Sequence, residues 1–327
     1  MKAVPKPALI AGLILLVVLL ALLSLMSGRV FAPFSAWVDR GDPRWTIVFE
    51  LRLPRTILAI VVGAALGMSG AAMQGYTRNP LADPGVLGVS AMGALGAVLT
   101  LYLGAGAAQS WVLATGAMSG ALIGVLLLMA LSGSASSTIT FVLAGVILNT
   151  VAAAGVSLAL SLAPNPWAVS EIVNWLMGSL ADRSIDDLKL ATPFIVVGCG
   201  LLLLTGRALD ALTLGETGAR SLGVNMGATR WLLAIGIALA AGASVAVTGV
   251  IGFVGLVTPH LLRPFVGSRP GALLLPSAIG GALIVLVADI VVRMTPSAGE
   301  VKLGVAMAAL GGPFFFVLLL SMRRRMA

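Results

Sequence analysis

The chain has 327 residues, of which 59% are hydrophobic and only 10% charged, with a formal net charge of +8. A soluble domain carries about 25% charged residues, and a mean hydropathy of +1.09 excludes one here, because too little polar surface remains to keep such a chain dissolved. One cysteine, Cys199, and one histidine, His260, exclude an intrachain disulfide and a structural zinc site, which needs about four ligands; the positive charge forms no basic stripe interleaved with aromatics, which sets nucleic acid aside.

The first apolar run, residues 7–28, follows Lys2 and Lys6. Its 22 uncharged residues exceed the apolar core of a cleavable signal, and no small-x-small site follows at once, so a retained helix is expected. At about 20 residues per span, charge-free windows place further spans near 56–76, 86–104, 111–132, 139–162, 191–206 and 229–249. A shorter one lies near 251–266, and two more near 272–292 and 303–322. Three of these share the 87 uncharged residues between Asp83 and Glu171. The uncharged window 231–262 would measure roughly 48 Å as one helix, too long for one span, and "TGVIGFVG" (248–255) breaks it. The expectation is an all-α polytopic membrane protein with ten transmembrane helices in a single domain over 1–327. Both termini then lie on one side.

Lysine and arginine in the short loops favour a cytoplasmic N-terminus by eleven to nine. The outer arginines, Arg52, Arg55 and Arg293 among them, are anomalous for that orientation. "RTILAIVVGAALGMSG" (55–70) echoes "RWLLAIGIALAAGASVAVTG" (230–249); this is either an inverted repeat of the kind many transporters use or two helices of similar composition. The 40 glycines point to helices packed closely over small residues. Cys199 lies in an apolar run and reads as an inert core thiol. His260, in "TPHLL", reads first as part of a helix start, ahead of a haem ligand.

One compact polar island interrupts the apolar chain, "TLGETGARSLGVNMGATR" (213–230). No phosphate loop, "HExxH" or "GxSxG" occurs, so neither nucleotide hydrolysis in that mode nor those hydrolytic chemistries are available. Ion-coupled transporters usually carry an intramembrane carboxylate. Here Asp289 lies at a span end, where it can pair with Arg293 at i,i+4. Energy is therefore expected from another chain, and the island is the place for that chain to bind.

The ordered segments "RLPRTILAIVVGAALGMSGAAMQGYTRNPLADPGVLGVS" (52–90), "LAGVILN" (143–149), "NWLMGSL" (174–180), "LGETGARSLGV" (214–224), "GVIGFVGLVTPHLLRPFVG" (249–267), "LLPSAIGGALIVLVADIVVR" (274–293) and "GEVKLGVAMAALGGPFFFVLLL" (299–320) resemble the permease subunits of bacterial ABC importers for iron-siderophores, haem and cobalamin. The resemblance implies a type II importer permease with ten helices and an inverted repeat. It implies a homodimer in the inner membrane, served by two cytoplasmic ATPase subunits that hold ATP and Mg, and by one periplasmic binding protein. It implies that no cofactor or metal is bound by this chain itself. The resemblance further implies coupling helices within 208–228, with Glu216, Ala219, Arg220, Leu222 and Gly223 touching the ATPase. Arg52, Arg55 and Arg293 would receive carboxylates of the binding protein. Asn79 and Leu81, with Ser137 and Thr138 as a second candidate pair, would form a cytoplasmic gate. The form of "NPLADPGVLGVS" leans the substrate to haem, with cobalamin and siderophores open. The competing readings are a secondary transporter acting without an ATPase subunit, and a membrane-embedded enzyme, for which no catalytic constellation exists.

Overall fold

The structure, a computed structural model, describes residues 6–28, 30–104, 110–133, 137–267, 269–295 and 300–326. Lys2 and Arg29 lie outside the described residues. Among those residues every regular element is helical. Ten principal helices follow in chain order. They are α1 (Lys6–Met26), α2 (Leu53–Thr77), α3 (Val89–Tyr102), α4 (Ser110–Ser132) and α5 (Thr138–Ser161). Then come α6 (Ile185–Leu204), α7 (Met226–Thr248), α8 (Val254–Val266), α9 (Pro270–Met294) and α10 (Leu303–Met326). They answer one for one to the ten windows read from the sequence. Seven are long and apolar enough to cross a membrane by themselves; α3, α8 and α10 are shorter in apolar length.

Local signals set the boundaries. Ser137 caps α5 by accepting the Thr140 amide at 3.2 Å. Ser184 and Asp187 form a reciprocal capping box at the start of α6, and Asn225 caps α7 through the Ala228 amide at 2.9 Å. Each satisfies amides that a helix start leaves open. Pro259 does not start a helix, as the sequence suggested, but sits inside α8. Its missing amide frees the Gly255 carbonyl. The buried Gln74 side chain of α2 turns its Nε2 toward that carbonyl at 3.5 Å and toward Leu256 O at 3.3 Å, supporting the helix from outside.

The bundle is centred on α2, α7 and α9. The helix containing α2 and α7 each bury 78% of their most apolar stretch, and α9 buries 72%, against 11% for α1. Lipid tails give helices no hydrophobic reason to associate, so close packing has to do it. Gly63 and Gly67 of α2 lie against the backbone of Gly281 and Ser277 of α9, where a Cβ would overlap a carbonyl oxygen. Gly96 of α3 meets Gly116 and Gly120 of α4 in the same way. The start of α7 lies beside the end of α2, since Arg230 Nε donates to Tyr76 Oη at 2.9 Å. These two helices therefore run in opposite directions.

The break between α7 and α8 falls in "TGVIGFVG". Gly249 (φ +70°) and Gly178 (φ +68°) each bring their backbone against the other's segment, leaving no room for a Cβ. The Ser179 amide donates to Thr248 O at 2.7 Å, and the Gly304 amide to Gly178 O at 3.1 Å. Irregular backbone is tolerated at membrane depth where protein surrounds it, and here three segments supply the hydrogen bonds.

Gly67→Ala is expected to force α2 from α9 and to destabilise the chain by roughly 1–3 kcal/mol, the cost of overpacking. Gly200→Ala, at a helical site with nothing within 4 Å of the new Cβ, is expected to be neutral or slightly stabilising. Melting midpoints of the two variants in one detergent measure the difference; equal midpoints would remove the glycine contact from its central place.

Candidate functional site

Polar side chains gather at the two ends of the bundle. At one end lie the finish of α2, the starts of α5, α7 and α9, and the loop between α6 and α7. That loop forms two short helices, Gly206–Leu212 and Gly215–Ser221. Leu209, Leu212 and Ala219 are fully buried and fasten it to the bundle. Gly215 (φ +88°) makes the turn between the short helices, and Gly223 (φ +81°) ends the second, in the left-handed geometry where glycine has no Cβ penalty.

Of the five residues expected to touch a partner, Arg220, Leu222 and Gly223 are exposed. Leu214 and Leu222 stand 69% and 65% exposed beside them, two apolar knobs on a polar loop. Ala219 faces the bundle and supports this surface from behind. Glu216 also turns inward: its Oε1 accepts the Thr138 amide at 2.7 Å and the Thr138 hydroxyl. Burial alone would raise the Glu216 pKa. The two bonds from Thr138, with the charges of Arg230 and Arg220, outweigh that and hold it below the ordinary carboxylate value.

Thr138 also lines a cleft of about 320 Å³ with Asn79, Leu81, Thr77 and Val142. Three of the four residues expected at a gate therefore meet in one cleft, although they come from separate segments. Ser137 is not among its lining residues and serves as the α5 cap. Asn79 Oδ1 accepts the Leu81 amide at 3.0 Å, which makes the "NPL" turn. Tyr76 stacks edge-on against Phe141 with centroids 5.5 Å apart, so the ends of α2, α5 and α7 lock around Tyr76 and the fully buried Arg230. Arg230 belonged to the polar island, but sequence alone assigned it only a side of the membrane. Tyr76 carried no signal except its place before "RNP".

At the other end, the three outer arginines converge, and each is largely buried. Arg55 Nε donates to Asp289 Oδ1 at 2.8 Å, and its other nitrogens hold Glu300. Arg293 pairs with Asp289 Oδ2 at 3.0 Å, the i,i+4 pair the sequence suggested. Arg293 also donates to Ser24 O at 3.0 Å and to the Ser24 hydroxyl, which in turn bonds Thr56 at 2.7 Å. Arg52 Nη1 donates to the carbonyls of Leu25 and Met26 at 2.9 and 3.0 Å, and Nη2 to Val30 O; it closes the open carbonyl end of α1. With Asp182, Arg183 and Glu300, these arginines line a cleft of about 220 Å³. Arg183 was not among the expected residues, yet its buried Nε has no hydrogen-bond partner. The sequence missed Glu300 because its partner lies 245 residues away.

No group of three or more potential metal ligands exists among the described residues. A bundle of membrane-spanning helices with an exposed polar loop at one end and a cleft beside it is the architecture of a membrane transport subunit. Comparisons with known proteins give the particular family. The model of the FecCD transport family matches residues 15–321. The uncharacterised ABC transporter permease protein YvrB of Bacillus subtilis (strain 168) is 38% identical over 297 residues, covering 89% of this chain and 84% of that one. The vitamin B12 import system permease protein BtuC of Salmonella typhi is 38% identical over 315 residues, covering 96% and 95%. A solved structure described as an inward-facing conformation of a metal-chelate type ABC transporter superposes with a TM-score of 0.88 at 33% identity, covering 96% of this chain and 99% of its own. PsaBC from Streptococcus pneumoniae in complex with Fab, at TM-score 0.55 and 17% identity over 87% and 95%, shares the fold alone. The chain belongs to the FecCD family of ABC importer permeases, in which a separate subunit hydrolyses ATP.

Asp289→Asn is expected to destabilise the protein by roughly 3–5 kcal/mol, since removing one member of a buried ion cluster strands the others. Arg55→Glu, which would set three acids together, is expected to cost at least as much. Thermal unfolding of both variants checks this; unfolding midpoints equal to wild type would mean that the cluster contributes nothing to the fold.

Proposed function

We propose that the chain is the membrane subunit of an importer that carries a bulky metal chelate inward across the bacterial inner membrane. It works as a homodimer with both termini cytoplasmic, two cytoplasmic ATPase subunits carrying ATP and Mg, and one periplasmic binding protein. The observation that carries the reading is the loop pair at 206–221: an exposed polar and apolar surface fastened by buried leucines and tied through Glu216 to Thr138 of the gate cleft. A push on Leu214, Arg220 and Leu222 reaches the start of α5 without a flexible link. A secondary transporter is disfavoured because Asp289 lies at the end of α9, paired with Arg55 and Arg293, and not at mid-membrane.

For the substrate, the "NPLADPGVLGVS" form and the cobalamin permease relatives favour a tetrapyrrole-type chelate, haem or cobalamin, ahead of siderophores. Titration of the partner binding protein with haem, cyanocobalamin and ferric siderophores decides among them. In proteoliposomes holding the permease–ATPase complex, uptake should require ATP. Uptake driven by an ion gradient without ATP would reverse the assignment.

Three variants test the coupling. Glu216→Ala should leave ATP hydrolysis near wild type and lower chelate moved per ATP severalfold. Glu216→Gln, which keeps an acceptor oxygen for the Thr138 amide, should retain most of it. Arg220→Glu should instead weaken co-purification of the ATPase. A wild-type transport ratio in Glu216→Ala would show that the tie to Thr138 transmits nothing.

Docking of the binding protein belongs at the arginine-lined outer cleft. Arg52, Arg55 and Arg293 already bond within the chain, although the buried Nε of Arg293, like that of Arg183, has no partner; Arg183 forms no salt bridge among the described residues, and its planar fork suits a carboxylate. Arg183→Ala should weaken docking by about 2 kcal/mol, the scale of a charged hydrogen bond, and less at high salt. Binding-protein affinity for the complex in nanodiscs measures it; unchanged affinity at both salts would place docking elsewhere.

A further inference from the structure

A second cleft opens at the loop-bearing end, separate from the gate cleft. It measures about 300 Å³ and is bounded by the end of α2, Thr213 of the loop, the end of α8 and the start of α9. Three arginines line it: Arg78, Arg263 and Arg269.

Arg263 and Arg269 are held by side-chain partners, Arg78 by its backbone, and together they are under-neutralised. Arg78 occupies the residue after α2 in the left-handed region (φ 52°, ψ 31°), with its amide closing the helix on Gln74 O. Glycine is the usual occupant of that position, so an arginine there carries a backbone cost that its side chain has to justify. Its Nη1 would stand 3.7 Å from a Cβ built on Gly215 of the loop, and no carboxylate pairs with it among the described residues. Arg263 donates to Gln74 Oε1 at 2.8 Å. Gln74 is buried and neutral, so it orients the guanidinium without cancelling its charge. Arg269 pairs with Asp210 at 3.0 Å, and the other Asp210 oxygen accepts the Gly271 amide at 2.8 Å. Three cations against one carboxylate leave two positive charges over the cleft, with Arg78 and Arg269 exposed and Arg263 half-buried beneath them, an arrangement that draws anions.

Guanidinium forks match phosphate oxygens in shape as well as charge. The flanking residues of the same two helices are apolar and outward-facing: Leu261 and Phe265 on α8, Leu275 on α9. A basic pocket between helix ends, bordered by lipid-facing side chains, has the form of a headgroup site. We propose that this cleft is a binding site for a phosphate oxyanion, supplied by the headgroup of an anionic phospholipid in the leaflet next to the loop helices or by free phosphate. Its occupant bridges the turn after α2, which leads to the gate residues, and the loop that carries Leu214 and Arg220. It therefore ties the turn after α2 to the loop, in addition to the tie that Glu216 makes to Thr138. The inference rests on the proposed orientation only for naming the leaflet.

The test uses the full chain purified in detergent. Native mass spectrometry counts dioleoylphosphatidylglycerol retained against dioleoylphosphatidylethanolamine, and melting midpoints are read with inorganic phosphate against chloride at equal ionic strength. The variants are Arg78→Gly, whose backbone preference fits the left-handed position, and Arg269→Gln. Wild type should favour phosphatidylglycerol by about tenfold, and each variant should lose most of that preference while melting no lower than wild type in chloride. A midpoint raised by inorganic phosphate without lipid preference, and lost in both variants, supports the site with free phosphate as its source. Lipid and phosphate responses unchanged in both variants overturn the proposal. So does loss of ATPase co-purification alone, which would assign the arginines to the subunit interface. Neither readout depends on transport or on which way the chain faces, so failure here leaves the importer reading standing.

Discussion

The contact between α2 and α9 is the constraint on which the rest depends. Water drives soluble helices together, but lipid does not, and what remains is van der Waals contact at backbone distance. Gly63, Gly67 and Gly281 supply that distance. With α2 and α9 fixed against each other, Arg55 reaches Asp289 at one end. At the other end, the turn after α2 and the start of α9 stand close enough to share a cleft with the loop helices. A side chain at any of the three glycines would separate both sets of groups at once.

The two polar ends are built for different tasks. In the Arg55–Asp289–Arg293–Glu300 cluster the two arginines and Asp289 are buried and paired, with Glu300 at the exposed edge, which suits a clasp. The loop end is open. Its surface leaves Leu214, Arg220 and Leu222 exposed, while Glu216 and Ala219 bind it to the bundle. Exposed and inward-turned residues are interleaved along it, so a force on the loop has a rigid body to act upon.

Much of this was legible in the sequence. The ten helices follow from charge-free windows because in a membrane hydrophobic length is nearly the whole signal. The break at 248–255 was legible because glycine at positive φ leaves a compositional mark. The direction of individual side chains was not. Nothing in "LGETGAR" says that Glu216 turns inward while Arg220 turns out, since a short loop helix with mixed composition has no clear apolar stripe. Family likeness placed Asn79, Leu81 and Thr138 together, and the structure brings them to one cleft. Pairings such as Arg55 with Glu300, or Tyr76 with Arg230, join residues more than a hundred positions apart, and no local pattern carries that information. Pro259 misled because a proline near the start of a short helix and one inside it look alike until the partner of the freed carbonyl, Gln74, is seen.

The buried clasp also orders the making of the protein. Arg55 leaves the ribosome 234 residues before Asp289, and Arg293 follows four residues after that. Through all that synthesis α2 crosses the bilayer with a bare guanidinium at its end, which can rest only among headgroups and water. Arrival of α9 brings one carboxylate and one further cation together, and only then can the outer ends of α1, α2 and α9 sink to their final depth. The second-to-last helix thus brings the buried carboxylate of the clasp, and Glu300, just ahead of α10, completes it. A chain truncated before that helix would keep its first two helices joined only by the Ser24–Thr56 bond and by the hold of Arg52 on the carbonyls at the end of α1.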